Sequence, residues 1–168
     1  MRLLLLFCAI GVCVWAVVTG SQVPTVARPG PVPARLPEAL RAHMRNERLD
    51  TVTSTRGLPL GVRNGLQTLF DSETLDIADP GADFQVFPVP DSKVPTRRLA
   101  AAGCSIDHCL VYYERGAGAH TWVVALFHWT PAATRFEWGA TAPRGLKTID
   151  DVRRGVLSGA INTPNRLW

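Results

Sequence analysis

Charged side chains are scarce in this chain. They make up 19% of its 168 residues, and lysine supplies only two of the 18 basic groups. With 46% hydrophobic residues beside them, this excludes a disordered chain, which combines low hydrophobicity with high net charge. The net charge of +4 is only a mild basic excess. A second long apolar run is missing, which excludes a polytopic membrane protein. No P-loop, G-x-G-x-x-G or G-x-S-x-G string occurs, so the common phosphate-binding and serine-hydrolase signatures are absent. There are no internal repeats.

What is present begins with a leader. Arg2 is followed at 3–18 by LLLLFCAIGVCVWAVV, uncharged throughout, and Thr19-Gly20-Ser21-Gln22 breaks the run. A basic start, an apolar stretch and small residues at its end make an export signal, with Ser21 after the cut. The stretch is long for a signal core and slightly short for a span of ~20 residues. An uncleaved anchor is therefore the alternative, and the length favours it. Either way, positive charge stays cytoplasmic and the body is placed outside. Val12 before Cys13 and Phe7 before Cys8 do not suit lipid attachment.

Two of the four cysteines lie in the leader, and the body keeps Cys104 and Cys109. In an oxidising compartment the plain expectation is one disulfide between them. Five residues of extended strand span ~17 Å, whereas a disulfide needs Cα atoms within ~7 Å, so 105–108 must turn. Closing so short a loop stabilises by ~2 kcal/mol on the chain-entropy view.

The chain divides into a leader or anchor at 1–20, a proline-rich linker at 21–37 and one domain at 38–168. The linker carries Pro24, Pro29, Pro31, Pro33 and Pro37, a density that favours an extended spacer. A helix at 38–49 follows Pro37, with Leu36, Leu40 and Met44 on one stripe. A second helix at 59–70 shows Val62, Leu66, Leu69 and Phe70 on one face, weakened by Gly61 and Gly65. Strands are expected at 109–115, 120–129 and 134–138. Glycine in Gly116-Ala117-Gly118-Ala119 suits the first turn between them. The second strand is apolar on both faces, which marks a central strand covered on both sides. The third alternates, with Phe136 and Trp138 expected on one face and Arg135 and Glu137 on the other. A closing helix at 148–160 starts at Thr148, with Asp151 completing a capping box. The expected fold is α+β: an antiparallel meander of three to five strands packed by two or three helices.

Candidate chemistry is thin. Cys104, His108, Cys109, His120 and His128 do not have the spacing of a zinc finger. His120 and His128 on one strand would lie ~26 Å apart. No metal and no cofactor is expected. Cysteine catalysis needs a base, and His120 with Glu114, or with Asp107, would complete a Cys104–His–acid arrangement. A three-residue hairpin loop sets Glu114 opposite His120, and a two-residue loop sets Arg115 there. The acids from Asp71 to Asp91 depart from a calcium loop and read as a solvated face. Arg41, Arg45 and Arg48 form a basic stripe near the bilayer. Trp122, Trp129, Phe136 and Trp138 suit either a groove or a core.

The resulting expectation is an exported or membrane-anchored envelope protein, periplasmic in a bacterial host. It is a non-catalytic module that binds an envelope partner through Arg41, Arg45 and Arg48 or through Trp122 and Trp138. A small Cys/His hydrolase is the alternative. Residues 3–20 contact the membrane if uncleaved, and no nucleic acid is expected. The mass of the native N-terminus checks the location. Intact Met1 is expected for the anchor and Ser21 for secretion, while a body accessible only from the cytoplasm overturns both.

Overall fold

The computed structural model describes residues 32–87, 93–165 and 168. The leader at 1–20 and most of the linker lie outside them. Among the described residues no helix is long and apolar enough to cross a membrane.

The elements run α1 (Glu38–Asn46), β1 (Asp50–Val52), α2 (Leu60–Phe70), β2 (Arg97–Cys104), β3 (His108–Arg115), β4 (Thr121–Trp129), β5 (Thr134–Ala142), α3 (Ile149–Ser158) and β6 (Thr163–Pro164). The six strands form one antiparallel sheet in chain order. The fold is thus α+β with a meander, and the sheet is larger than the expected three to five strands. The additions are β1, β2 and β6. Two are only two or three residues long, and β2 is built on alanines that carry no strong alternation.

The centre of the sheet explains its layers. Residues 109–113 and 123–127 are fully buried on both faces. Cys109, Val111, Tyr113, Val123, Ala125 and Phe127 meet Val62, Leu66, Leu69 and Phe70 of α2. Leu110, Tyr112, Val124 and Leu126 meet Met44 of α1 and Ile149, Val152 and Val156 of α3. The capping box expected at Thr148 and Asp151 is made, with both reciprocal hydrogen bonds in place. The glycines of α2 have a packing reason: a Cβ at Gly65 would stand 2.8 Å from the ring of Phe127. Their cost of ~1 kcal/mol each in helix propensity permits close approach to the sheet.

Three features differ from the sequence reading. First, α1 ends at Asn46, so Arg48 falls beyond it. The side chain of Arg153 caps that end, donating to the carbonyls of Met44 and Arg45 at 3.0 and 2.8 Å. Second, Leu126 pairs with Trp138 but Phe127 with Phe136, so Glu137 is the extra residue of a β-bulge. Phe136 and Trp138 consequently point to opposite cores rather than sharing a face. Third, the end of the proline-rich stretch lies against the body. Leu36 is buried, and the Pro33 carbonyl accepts from the indole of Trp138 at 3.1 Å.

Between α2 and β2 the chain is irregular, as its acids and prolines suggest. Ala78 bridges Arg98 in parallel, covering the half of β2 that β1 leaves open. Buried Arg97 holds this segment through Asp76 and lies 4.0 Å over the ring of Phe70.

Leu66→Ala is expected to cost about 3 kcal/mol, because Leu66 is fully buried between α2 and the sheet and its truncation leaves a cavity there. Leu60→Ala, at a position 63% exposed on the same helix, is expected to change stability by less than about 0.5 kcal/mol. Urea denaturation of the two variants checks the pair.

Candidate functional site

Polar groups collect at the two ends of the β3–β4 pair, because its middle is dry on both sides. At the end near residue 116, Glu114 is buried and doubly held. Arg98, opposite it on β2, donates from Nε at 2.6 Å, and His120 Nε2 lies 2.9 Å away. The connection here is longer than either loop length anticipated. Arg115 pairs with Thr121 and Glu114 with Trp122, leaving five residues, 116–120, in the loop. Ala117 and Gly118 take positive φ, and His120 folds back to reach Glu114 from outside the strand.

The His120 ring stacks on Trp122 with centroids 4.3 Å apart. Both line a cleft of about 460 Å³ with Tyr112, Glu114, Arg144 and Leu146. Tyr112 donates to the Pro143 carbonyl at 2.7 Å, and burial pushes its phenol up to about 12, so it stays neutral. Arg144 is exposed and makes no ion pair with any described residue.

At the opposite end, Cys104 and Cys109 face each other across the β2–β3 hairpin, Cα atoms 4.1 Å apart, and are joined as a disulfide. The turn between them is fastened by Ser105, whose hydroxyl accepts from the backbone N–H of Asp107 and His108 and contacts Glu47. His108 begins β3 directly opposite His128 on β4. Around it stand His43 and Glu47, four residues apart and so on one face of the end of α1, together with Asp107 and the bulged Glu137. His108 Nδ1 lies 3.1 Å from Glu47 and 3.2 Å from Asp107, and its Nε2 lies 3.4 Å from Glu137.

Burial opposes a charge on His108, but Glu137, Glu47 and Asp107 outweigh it and push its pKa up to about 9. The same contact, helped by Arg135 and resisted by burial, holds Glu137 down at about 2. Burial, and then the neighbouring Asp107, raise Glu47 above the ordinary carboxyl range, against the pull of His108 and His43. Asp107 is lowered, first by hydrogen bonding with Glu47 and then, against burial, by His108 and His43.

The candidate residues read from the sequence are distributed between these ends. Glu114 and His120 do meet. Cys104 and Cys109 do not join them: Glu114 is five strand residues from Cys109, ~17 Å, and on the other face of the sheet. Asp107 belongs to His108 instead. The arginine stripe is broken up, because Arg41 lies 3.6 Å from Glu38 and Arg48, past the helix, lies 3.3 Å from Asp50. Arg45 is exposed. Trp122 lines the cleft, whereas Trp138 is fully buried in the core.

Sequence reasoning passed over His43, Glu47 and Glu137 as site residues and weighed His108 and His128 only with the cysteines. A His-x-x-x-Glu spacing at the end of a helix was the available signal. Nothing local tied it to residues more than sixty positions away.

No protein family, curated protein or solved structure matches this chain.

Alkylation of the unfolded, unreduced protein, followed by peptide mass mapping, is expected to leave Cys104 and Cys109 unlabelled and to label both after reduction. Labelling of either before reduction contradicts the pairing.

Proposed function

We propose that this is a non-catalytic binding domain of the cell envelope. Residues 3–20 anchor it or are removed on export, and it recognises an acidic segment of an envelope protein through the cleft beside Trp122. The observation that carries this reading is the unpaired charge in that cleft. Glu114 is neutralised by Arg98 and lies 2.9 Å from His120 Nε2, so the charge left facing outward is that of Arg144. Beside it the stacked His120 and Trp122 rings offer a flat, rigid surface for an apolar or aromatic side chain. A carboxylate next to such a side chain satisfies both.

Enzyme chemistry has less support. The cysteine sulfurs are joined to each other, and among the described residues no serine, threonine or cysteine lines the cleft beside His120 and Glu114, where the Tyr112 hydroxyl is committed to the Pro143 carbonyl. The oxidising compartment that export implies agrees with the disulfide.

Fluorescence anisotropy with labelled peptides tests the reading. Peptides pairing aspartate or glutamate with an aromatic residue are expected to bind, more weakly as salt rises, and their amidated counterparts are not. Arg144→Glu is expected to weaken binding at least tenfold with an unchanged circular dichroism spectrum, and Trp122→Ala similarly. Equal binding of acidic and amidated peptides, or indifference to Arg144→Glu, overturns it.

A further inference from the structure

We propose that His43, Glu47, Asp107 and His108 form a binding site for one divalent transition-metal ion of the zinc type, clamping α1 to the β2–β3 hairpin. The proposal is independent of the cleft at the other end of the sheet.

Geometry carries it. The ligand atoms of these four residues all lie within 4.8 Å of one another. Glu47 Oε2 is 3.3 Å from His43 Nε2 and 3.1 Å from His108 Nδ1. Asp107 is 3.2 Å from His108 Nδ1 and 3.7 Å from His43 Nε2. Direct charge-assisted hydrogen bonds between such groups are shorter, about 2.7–2.9 Å. A tetrahedral ion with bonds of about 2.0–2.1 Å sets its ligands about 3.3–3.4 Å apart. These separations lie at the long end of the hydrogen-bond range, where His108 Nδ1 meets Glu47 Oε1 at 3.3 Å and Asp107 at 3.2 Å, and they also match the spacing of ligands around one ion. Two imidazoles and two carboxylates are also a donor set that zinc accepts.

A second observation points into the same space. The Glu47 side chain is only 9% exposed, yet its Oε2 accepts no hydrogen bond from any described group. Neither Glu47 nor Asp107 is paired with a lysine or arginine among the described residues. A buried carboxylate oxygen held between two histidine nitrogens is left for a cation to satisfy.

The surroundings do what outer partners of a metal-bound histidine do. Nδ1 is turned to the four-residue site, and Nε2 faces Glu137 at 3.4 Å, where a carboxylate is placed to support a metal-bound imidazole. Ser105 orients Glu47 from behind. The disulfide at 104 and 109 fixes the turn that carries Asp107 and His108. His43, 49% exposed, leaves a way in from solvent. His108, His128 and Glu137 also place ligand atoms close together, but that set would draw Glu137 away from its supporting role. The rival account is a protonated His108 that neutralises the carboxylates unaided.

Isothermal titration of Zn²⁺ into the untagged, oxidised full-length chain, with its free leader thiols alkylated, is expected to give one ion per chain. Co²⁺ is expected to produce the intense visible absorption of a four-coordinate complex. His43→Ala, at a half-exposed position that the fold does not need, is expected to weaken Zn²⁺ at least tenfold. Glu47→Gln is expected to do the same, Glu137→Gln to weaken it about tenfold, and His128→Ala to leave it unchanged. Absence of stoichiometric binding by the native chain overturns the proposal and leaves the protonated His108 in its place. Binding that survives His43→Ala, or that His128→Ala abolishes, overturns it equally.

Discussion

The paired strands β3 and β4 have apolar side chains on both faces over their middle five residues, and the architecture follows from covering them. Tyr112 and Tyr113 are neighbours in the chain, point to opposite sides, and are both fully buried. A sheet with such a centre cannot leave one face in water, so it needs helices on both. α2 covers one side, and α1 with α3 the other. The strands added at the margins are short, and Ala78 covers part of one edge, which limits pairing with other chains.

The same constraint decides where chemistry can occur. Charged groups have no place in the dry middle of the pair, so they gather where β3 and β4 run out from under the helices. One end holds Glu114 between Arg98 and His120 beside an open cleft. The other gathers three of the chain's four histidines with three acids over a disulfide-bound turn. The bulge at Glu137 belongs to both packing and chemistry. One inserted residue lets Phe136 and Trp138 serve different cores and turns the carboxylate toward His108.

Elements with strong local signals were readable in advance. The stripe of α2, the capping box of α3 and the two-faced β4 each follow from residues within a dozen positions. β2 was not readable, because Ala100, Ala101 and Ala102 fill space under α3 and beside β1 without a pattern of their own. β1 and β6 are too short to carry one. In the site, the meeting of Glu114 and His120 was accessible because the two are six residues apart, although the loop that brings them together is longer than either length considered. His43 and Glu47 were not, since what matters about them is where α1 docks.

The sequence by itself determined the α+β class, the central strands, the helices and the expectation that the two body cysteines pair. All of these rest on interactions between near neighbours or on a residue's solubility in its own surroundings. Only the tertiary structure decided the face of Trp138, the loop register and the company of His108. A bulge changes side-chain direction without changing composition. Contacts across sixty or more residues depend on how layers pack, which no short stretch of chain records.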